Sequence, residues 1–265
     1  MSVSEEVGGF LYYSFLSFPS LRLPSEDNHM AEKRFLYLLG LILFSAYGLL
    51  FADDSPDTLN RLTDHEKAAG FELLFDGQTL SPGIWQGSVD GYPVEREGSF
   101  VCRRGGQLLT KKEYADFIFR FEFRLPPAGN NGVGIRTPFG KHASVDGMEI
   151  QILSDAYKGA KPWQKHGSIY GIVPAKTGLL KPDGEWNREE IIAVGPHIKV
   201  IVNGQLAVDA DLTKAEPIDG ERPGRHNKTG SIGFLGHNDP VEFRNVRVLE
   251  VHSEEELREF LDSEK

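Results

Sequence analysis

The residues best suited to chemistry are gathered in one stretch, residues 129–153, which reads GNNGVGIRTPFGKHASVDGMEIQIL. Glu149 and Gln151 stand two apart, as do Gly132, Gly134 and Arg136. A spacing of two puts residues on the same face of a pleated strand. The opposite parity carries Val133 and Ile135 in the first strand and Met148, Ile150 and Ile152 in the second, which is the pattern of a half-buried pair. A face that offers a carboxylate, a guanidinium, an amide and two positions without side chains has room for a ligand beside charged groups, and reads as the floor of a binding cleft. The other reading is a solvated outer sheet face, with glycines marking bulges and Arg136 simply paired with Glu149.

His166 and His237 lie further on, and a neutral imidazole serves equally as a base or as a metal ligand. Each also fits a hydrogen-bonded loop histidine. Neither a His-x-His nor a His-Glu-x-x-His spacing occurs, so a metal site would have to be assembled from distant strands. A divalent ion stays open as a cofactor, with Asp155 and Asp239 as oxygen ligands suited to calcium.

The elements that must hold these residues are short strands. Residues 114–125 alternate most clearly: Phe117, Phe119, Phe121, Phe123 and Leu125 face one way, and Ile118, Arg120, Glu122 and Arg124 the other. Burying such a row at roughly 2 kcal/mol per ring makes it a mainstay of a core. Asn203-Gly204 between two apolar alternating runs is a hairpin signal, because both residues tolerate positive φ. Asp76-Gly77 and Gly195-Pro196 read as further turns, residues 94–100 and 166–173 as strands, and 177–188 as a long loop holding GEWN. Thr63 caps a short helix near residues 62–69, and Ser253 with Glu256 forms a capping box that opens a short C-terminal helix. About a dozen strands, without βαβ rhythm or repeats, predict an all-β, two-sheet antiparallel sandwich.

Composition agrees with this and excludes some partners. The 265 residues include 29 Gly and 15 Pro, and the formal net charge of −10 comes without a basic stripe, so nucleic acid is not expected as a partner. The single cysteine, Cys102, excludes an internal disulfide and a cysteine-based metal site. Residues 30–52 have the grammar of an export signal: Lys33 and Arg34, an apolar run over residues 35–51, and Ala52 ahead of two aspartates. Cleavage after Ala52 would leave a protein without a membrane partner, in the periplasm or outside the cell; a retained anchor is the alternative. A signal starting at Met30 implies that residues 1–29 are an extension outside the working protein. Residues 53–69 then read as a linker, 70–252 as the folded domain and 253–265 as the helix.

The motifs FELLFDGQTL, YADFIFRFEFRL, NNGVGIR, GMEIQI, GSIYG, GEWN, VNGQLAVD and GSIGFLGHNDPVEFRNVRV, in this order over about residues 70–251, resemble the 3-keto-disaccharide hydrolase family. The resemblance implies a concanavalin A-like jelly roll and a carbohydrate substrate oxidised at C3. In this chain Asn130-Asn131-Gly132 stands where the family usually has Asn-Ser-Gly, and Phe234-Leu235 precedes Gly236-His237 where Leu-Gln is common. A C3 ketone acidifies the C2 proton, so the glycosidic oxygen on C1 can leave by elimination and water can add back. Such chemistry needs one base and a group to hold the C3 oxygen, rather than the carboxylate pair of ordinary glycosidases. The resemblance thus makes Glu149 the candidate base and Arg136 the candidate holder of the oxygen, with His166 and His237 as alternative bases. Asn131, Gln151, Asn187 and Arg244 are candidate hydroxyl-binding residues, and Tyr170, Trp163 and Trp186 candidate stacking surfaces. A non-catalytic carbohydrate-binding module of laminin-G shape is the rival. Convergence of Glu149, Arg136 and a histidine on one pocket would separate the two.

Overall fold

The computed structural model describes residues 58–264 other than Arg96. The expected extension 1–29, the signal 30–52 and the start of the linker lie outside the described residues. Twelve strands are present among those described: β1 (Glu72–Leu73), β2 (Trp85–Gly87), β3 (Phe100–Val101), β4 (Gly106–Thr110), β5 (Phe117–Arg124), β6 (Asn130–Thr137), β7 (Met148–Leu153), β8 (Trp186–Val194), β9 (His197–Val202), β10 (Gln205–Asp211), β11 (Ser231–Gly236) and β12 (Glu242–Glu250). Three α-helices join them: α1 (Asp64–Ala69), α2 (Ala143–Asp146) and α3 (Glu254–Ser263).

The strands form two antiparallel sheets. One runs β1-β12-β5-β8-β9-β10, with β3 also paired to β12, and the other β2-β4-β11-β6-β7. Their inner faces enclose an aromatic core, in which Phe234 and Phe243 approach to 4.0 Å between ring centroids. This is the expected sandwich, and the alternating phenylalanines of β5 supply one wall of it. Asn203 and Gly204 turn β9 into β10 with φ of 49° and 76°, as the hairpin signal requires.

Six local expectations need correction. Residues 94–99 are a tight turn rather than part of a strand, with Glu95 N donating to Ser99 O and only an isolated bridge between Val94 and Phe100. The loop expected over 177–188 ends early, because Trp186, Asn187 and Arg188 already belong to β8. Ile118 is fully buried on the nominally wet face, because it packs into a second apolar cluster with Phe71, Leu249 of β12 and Phe260 of α3. Residues 60–69 are not a free linker: Asn60 is buried and exchanges hydrogen bonds with Asn245, while buried Glu66 pairs with Arg247. Residues 166–173 make only isolated bridges, since Gly167 and Gly171 bend the chain with φ of 78° and 70°. The C-terminal helix is capped by Ser253, but the Glu256 carboxylate accepts from the His252 N–H, one residue further out than a capping box.

Candidate functional site

A cavity of about 720 Å³ opens on the face of the β2-β4-β11-β6-β7 sheet that is turned away from the core, well within the range of small-molecule pockets. Strand alternation builds its floor. β6 and β7 pair with Gly132 opposite Gln151 and Gly134 opposite Glu149, so both side chains rise over glycines. A Cβ built on Gly132 would fall 2.9 Å from Cγ of Glu149 and 3.0 Å from Cδ, so the bare backbone there makes the acid's position available. Gly134 does the same for α2, whose Ala143 Cβ would stand 3.0 Å from a side chain at that position.

Glu149 is only 6% exposed, and its carboxylate has no hydrogen bond to a described residue. Burial pushes its pKa up to about 7, with the positive charge of Arg222 acting in the opposite direction. Beside it, Gln151 donates to Asn130 Oδ1 at 2.8 Å, while its own Oε1 is buried without a partner among the described residues. An unpartnered buried acceptor beside a cavity suits a ligand hydroxyl.

Two histidines stand on the wall formed by β4, β11 and α2. His142 meets Ser144 Oγ through Nδ1 at 3.0 Å, and Gln107 clamps the turn that carries it by accepting from Ala143 N and donating to Lys141 O. His237 follows β11, and Asp239 tethers its loop to the start of β6 by accepting from Asn130 N at 3.0 Å. Much of the His237 surface is open to solvent, yet it sits against the cavity wall. That partial desolvation lowers its pKa, with Asp239 raising it and His142 lowering it further. The far wall carries Tyr157, Lys158 and Tyr170, whose hydroxyl accepts from Gln164 Nε2 at 2.8 Å.

Of the residues singled out from sequence, the structure brings Glu149, Gln151, His237 and Tyr170 together at this cavity. Arg136 is not among them. Its φ is 47°, and the pairing of β6 with β11 shifts register beside it, so alternation breaks and its side chain leaves the face of Gly132 and Gly134. There it donates to Ala115 O at 2.8 Å and Gly195 O at 2.6 Å and pairs with Asp116 at 3.0 Å. Arg136 is therefore neither the holder of a C3 oxygen nor the ion-pair partner of Glu149, and of the expected convergence of Glu149, Arg136 and a histidine only Glu149 and His237 meet at the cavity.

His166 points into the sandwich instead, 3.4 Å from Glu189 and 5.1 Å between ring centroids from Phe123. Burial lowers its pKa to about 3 and raises that of Glu189, favouring the uncharged form of each. Asn131 is fully buried on the core side, opposite Ile152, because it shares the parity of Val133. Asn187 is a structural bond-maker that accepts from Lys181 N and Asn203 Nδ2.

Arg244 lies on the outer face of the other sheet, donating to Glu122 and standing 4.1 Å over Trp186, which removes that tryptophan from the cavity as well. Trp163 is half-buried under Lys161, at 4.9 Å, and does not line the cavity. Among the described residues no group of three His, Cys, Asp or Glu is placed to hold a metal ion; Asp155 is exposed and Asp239 is used as the tether described above.

Sequence reasoning missed His142, Asn130, Lys158 and Arg222. Asn130 shares the parity of Gly132 and was open to the same alternation argument. Arg222 was not, since it lies in the long connection between β10 and β11.

With this geometry in view, the sequence matches the 3-keto-alpha-glucoside-1,2-lyase-like domain over residues 70–249. The chain belongs to that family. A relative from Bacteroides thetaiotaomicron named 3-keto-disaccharide hydrolase is 24% identical over 232 residues, covering 68% of this chain and 78% of the relative. Two crystal structures of proteins from Parabacteroides distasonis, provisionally named glycosyl hydrolases, are also similar. One is 26% identical with a TM-score of 0.62, covering 73% of this chain and all of that one. The other is 25% identical with a TM-score of 0.58, covering 68% and 99%. Membership in the 3-keto-alpha-glucoside-1,2-lyase-like family makes this a carbohydrate-active, hydrolase-like chain.

Proposed function

We propose that the protein cleaves the glycosidic bond of 3-keto-glycosides by elimination followed by hydration, with Glu149 as the base. One observation carries this reading: Glu149 is the only carboxylate among the described residues that line the cavity. Ordinary retaining and inverting glycosidases need two carboxyl groups across the scissile bond. An acidified C2–H needs one base, and a carboxyl whose pKa stands near 7 is matched to proton abstraction at neutral pH.

In the first half of the reaction the Glu149 carboxylate takes the C2 proton, and the electrons of that bond form an enolate with its charge on the C3 oxygen. The enolate then collapses to restore the C3 ketone and form a C1=C2 double bond, the C1–O bond breaks, and the leaving oxygen takes a proton from solvent, which the proton later released by the attacking water makes good. In the second half water adds at C1 and Glu149 returns a proton to C2, which completes a net hydrolysis. Gln151 Oε1 binds a sugar hydroxyl, Tyr170 offers a ring surface, and His237, favoured in its neutral form by partial desolvation, accepts the proton of the attacking water.

The test is turnover of a panel of 3-keto-glycosides and their unoxidised counterparts by wild type and Glu149→Gln. Cleavage confined to the keto sugars, and a drop of about 10²–10⁴ in kcat/KM in the variant, are expected. Equal cleavage of unoxidised glycosides, or an unchanged variant, would overturn the reading. We also infer export, from the basic start and apolar run of residues 33–51. Recovery of a mature protein beginning at Asp53 outside the cytoplasm is the expected result, and a cytoplasmic protein retaining residues 30–52 the contrary one.

A further inference from the structure

We propose that Arg222 is a positioning residue of this cavity: its guanidinium braces the two walls that carry Tyr170 and Ser144 and so holds the shape of the space around Glu149. The inference rests on the reading of Glu149 as the base. Arg222 lies in the connection from β10 to β11, and its side chain is 10% exposed. Nη1 donates to Ser144 O at 2.9 Å, Nη2 to Asp219 Oδ2 at 3.2 Å, and Cζ stands 5.3 Å from the centre of the Tyr170 ring. One guanidinium therefore touches both a residue at the start of α2 and an aromatic of the opposite wall, and both residues line the cavity.

The place is prepared by Gly171, whose φ of 70° suits glycine and whose missing Cβ would stand 2.7 Å from Arg222 Nε. The Gly171 carbonyl also accepts from Ile218 N at 2.7 Å and Asp219 N at 3.2 Å, which pins the connection against this wall. Nε is buried without a partner among the described residues, and the counter-charge of the cation is Asp219, whose side chain is 47% exposed and so screened by solvent. The titratable groups that share the cavity with Glu149 are His142, His237, Lys158, Tyr157 and Tyr170, and the strands beneath it add only uncharged residues such as Gln107, Asn130, Gln151 and Leu235. Arg222 is the charged group whose field acts against the desolvation of Glu149. A lysine could keep the charge, but not the planar fork that spans Ser144, Asp219 and the ring.

The test follows Glu149 directly, through the carboxyl stretch in infrared difference spectra against Glu149→Gln, and follows kcat/KM against pH in parallel. Arg222→Gln removes the charge, and the Glu149 midpoint is expected to rise by about one unit or more. The acid limb of kcat/KM should move up with it, a loss of about tenfold near pH 6. Arg222→Lys should leave the midpoint within a few tenths of a unit while lowering kcat and the melting temperature. A folded Arg222→Gln with an unmoved midpoint overturns the proposal. If that variant does not fold, Arg222→Lys decides alone, and a midpoint displaced by a full unit despite its ammonium overturns it. A shifted midpoint with an unshifted activity limb supports the role of Arg222 and instead removes Glu149 as the base.

Discussion

Gly132→Ala tests the site at its tightest point. A Cβ at this position would meet Oε1 of Glu149 first, then Cγ at 2.9 Å and Cδ at 3.0 Å, where ordinary contacts begin at 3.4 Å. The backbone accepts alanine, because the φ of Gly132 lies outside the left-handed region. The Glu149 side chain must therefore yield by about 0.5 Å at Cγ and, through the lever of the last bonds, by roughly 1 Å at the carboxylate, a displacement that can cost about 10²-fold in rate. Stability should scarcely change. Alanine reduces the freedom of the unfolded chain by about 0.4–1 kcal/mol, against a rotamer strain of roughly 0.5–1.5 kcal/mol on Glu149. The assay is kcat/KM on a 3-keto-glycoside beside thermal melting, with Glu149→Gln as reference. A Gly132→Ala enzyme within threefold of wild type, while Glu149→Gln is inactive, would refute the claim that the bare backbone of β6 sets the position of the base.

Glu149→Gln should melt higher than wild type above neutral pH. A carboxyl raised from 4.5 to about 7 by folding withdraws stability as pH climbs through that window, about 3 kcal/mol in full, so the two melting curves should converge near pH 4. His166→Gln should leave the pH–rate profile in place. Its folded pKa lies below the unfolded one, so its contribution is complete above about pH 6.5 and lost as pH falls toward 3, and the acid decline of the melting temperature should be shallower in the variant. Arg136→Met strands the carbonyls of Ala115 and Gly195, and should cost about 3 kcal/mol or more in chemical denaturation while kcat of the folded enzyme stays within about threefold.

The sandwich was legible because its evidence is local. Period-two alternation in β5, β6 and β7 sorts core from surface without knowledge of any neighbour, and the same parity put Glu149 and Gln151 above two glycines. The rule failed at Arg136 for a reason it cannot contain. One residue in the left-handed region, at a register shift against β11, rotates the side chain out of its series, and nothing in NNGVGIR announces it. Asn131 is different, since counting parity from Val133 places it on the core side. His166 and Arg222 depend on where long connections travel: one segment folds over the inner face of the sheet that contains β8, the other docks on Gly171. Those paths are fixed by tertiary packing, so the cation that acts on Glu149 was visible only in the assembled chain.

The state of Glu149 also bears on whether the cavity binds or reacts. A site that only holds a neutral sugar is served by amides, hydroxyls and ring faces, and Gln151, Asn130 and Tyr170 already supply these. A carboxyl held 6% exposed, without a hydrogen bond to a described residue, adds strain that such recognition does not require. Proton abstraction does require it, because a desolvated carboxylate is a stronger base and a pKa near 7 leaves a useful fraction ionised. On the proposed reading, the same burial that weakens the fold at neutral pH strengthens Glu149 as a base, and the charge of Arg222 opposes the effect of burial on that carboxyl. A binding module could replace Glu149 with glutamine and gain stability at no loss of function, whereas an eliminating enzyme could not.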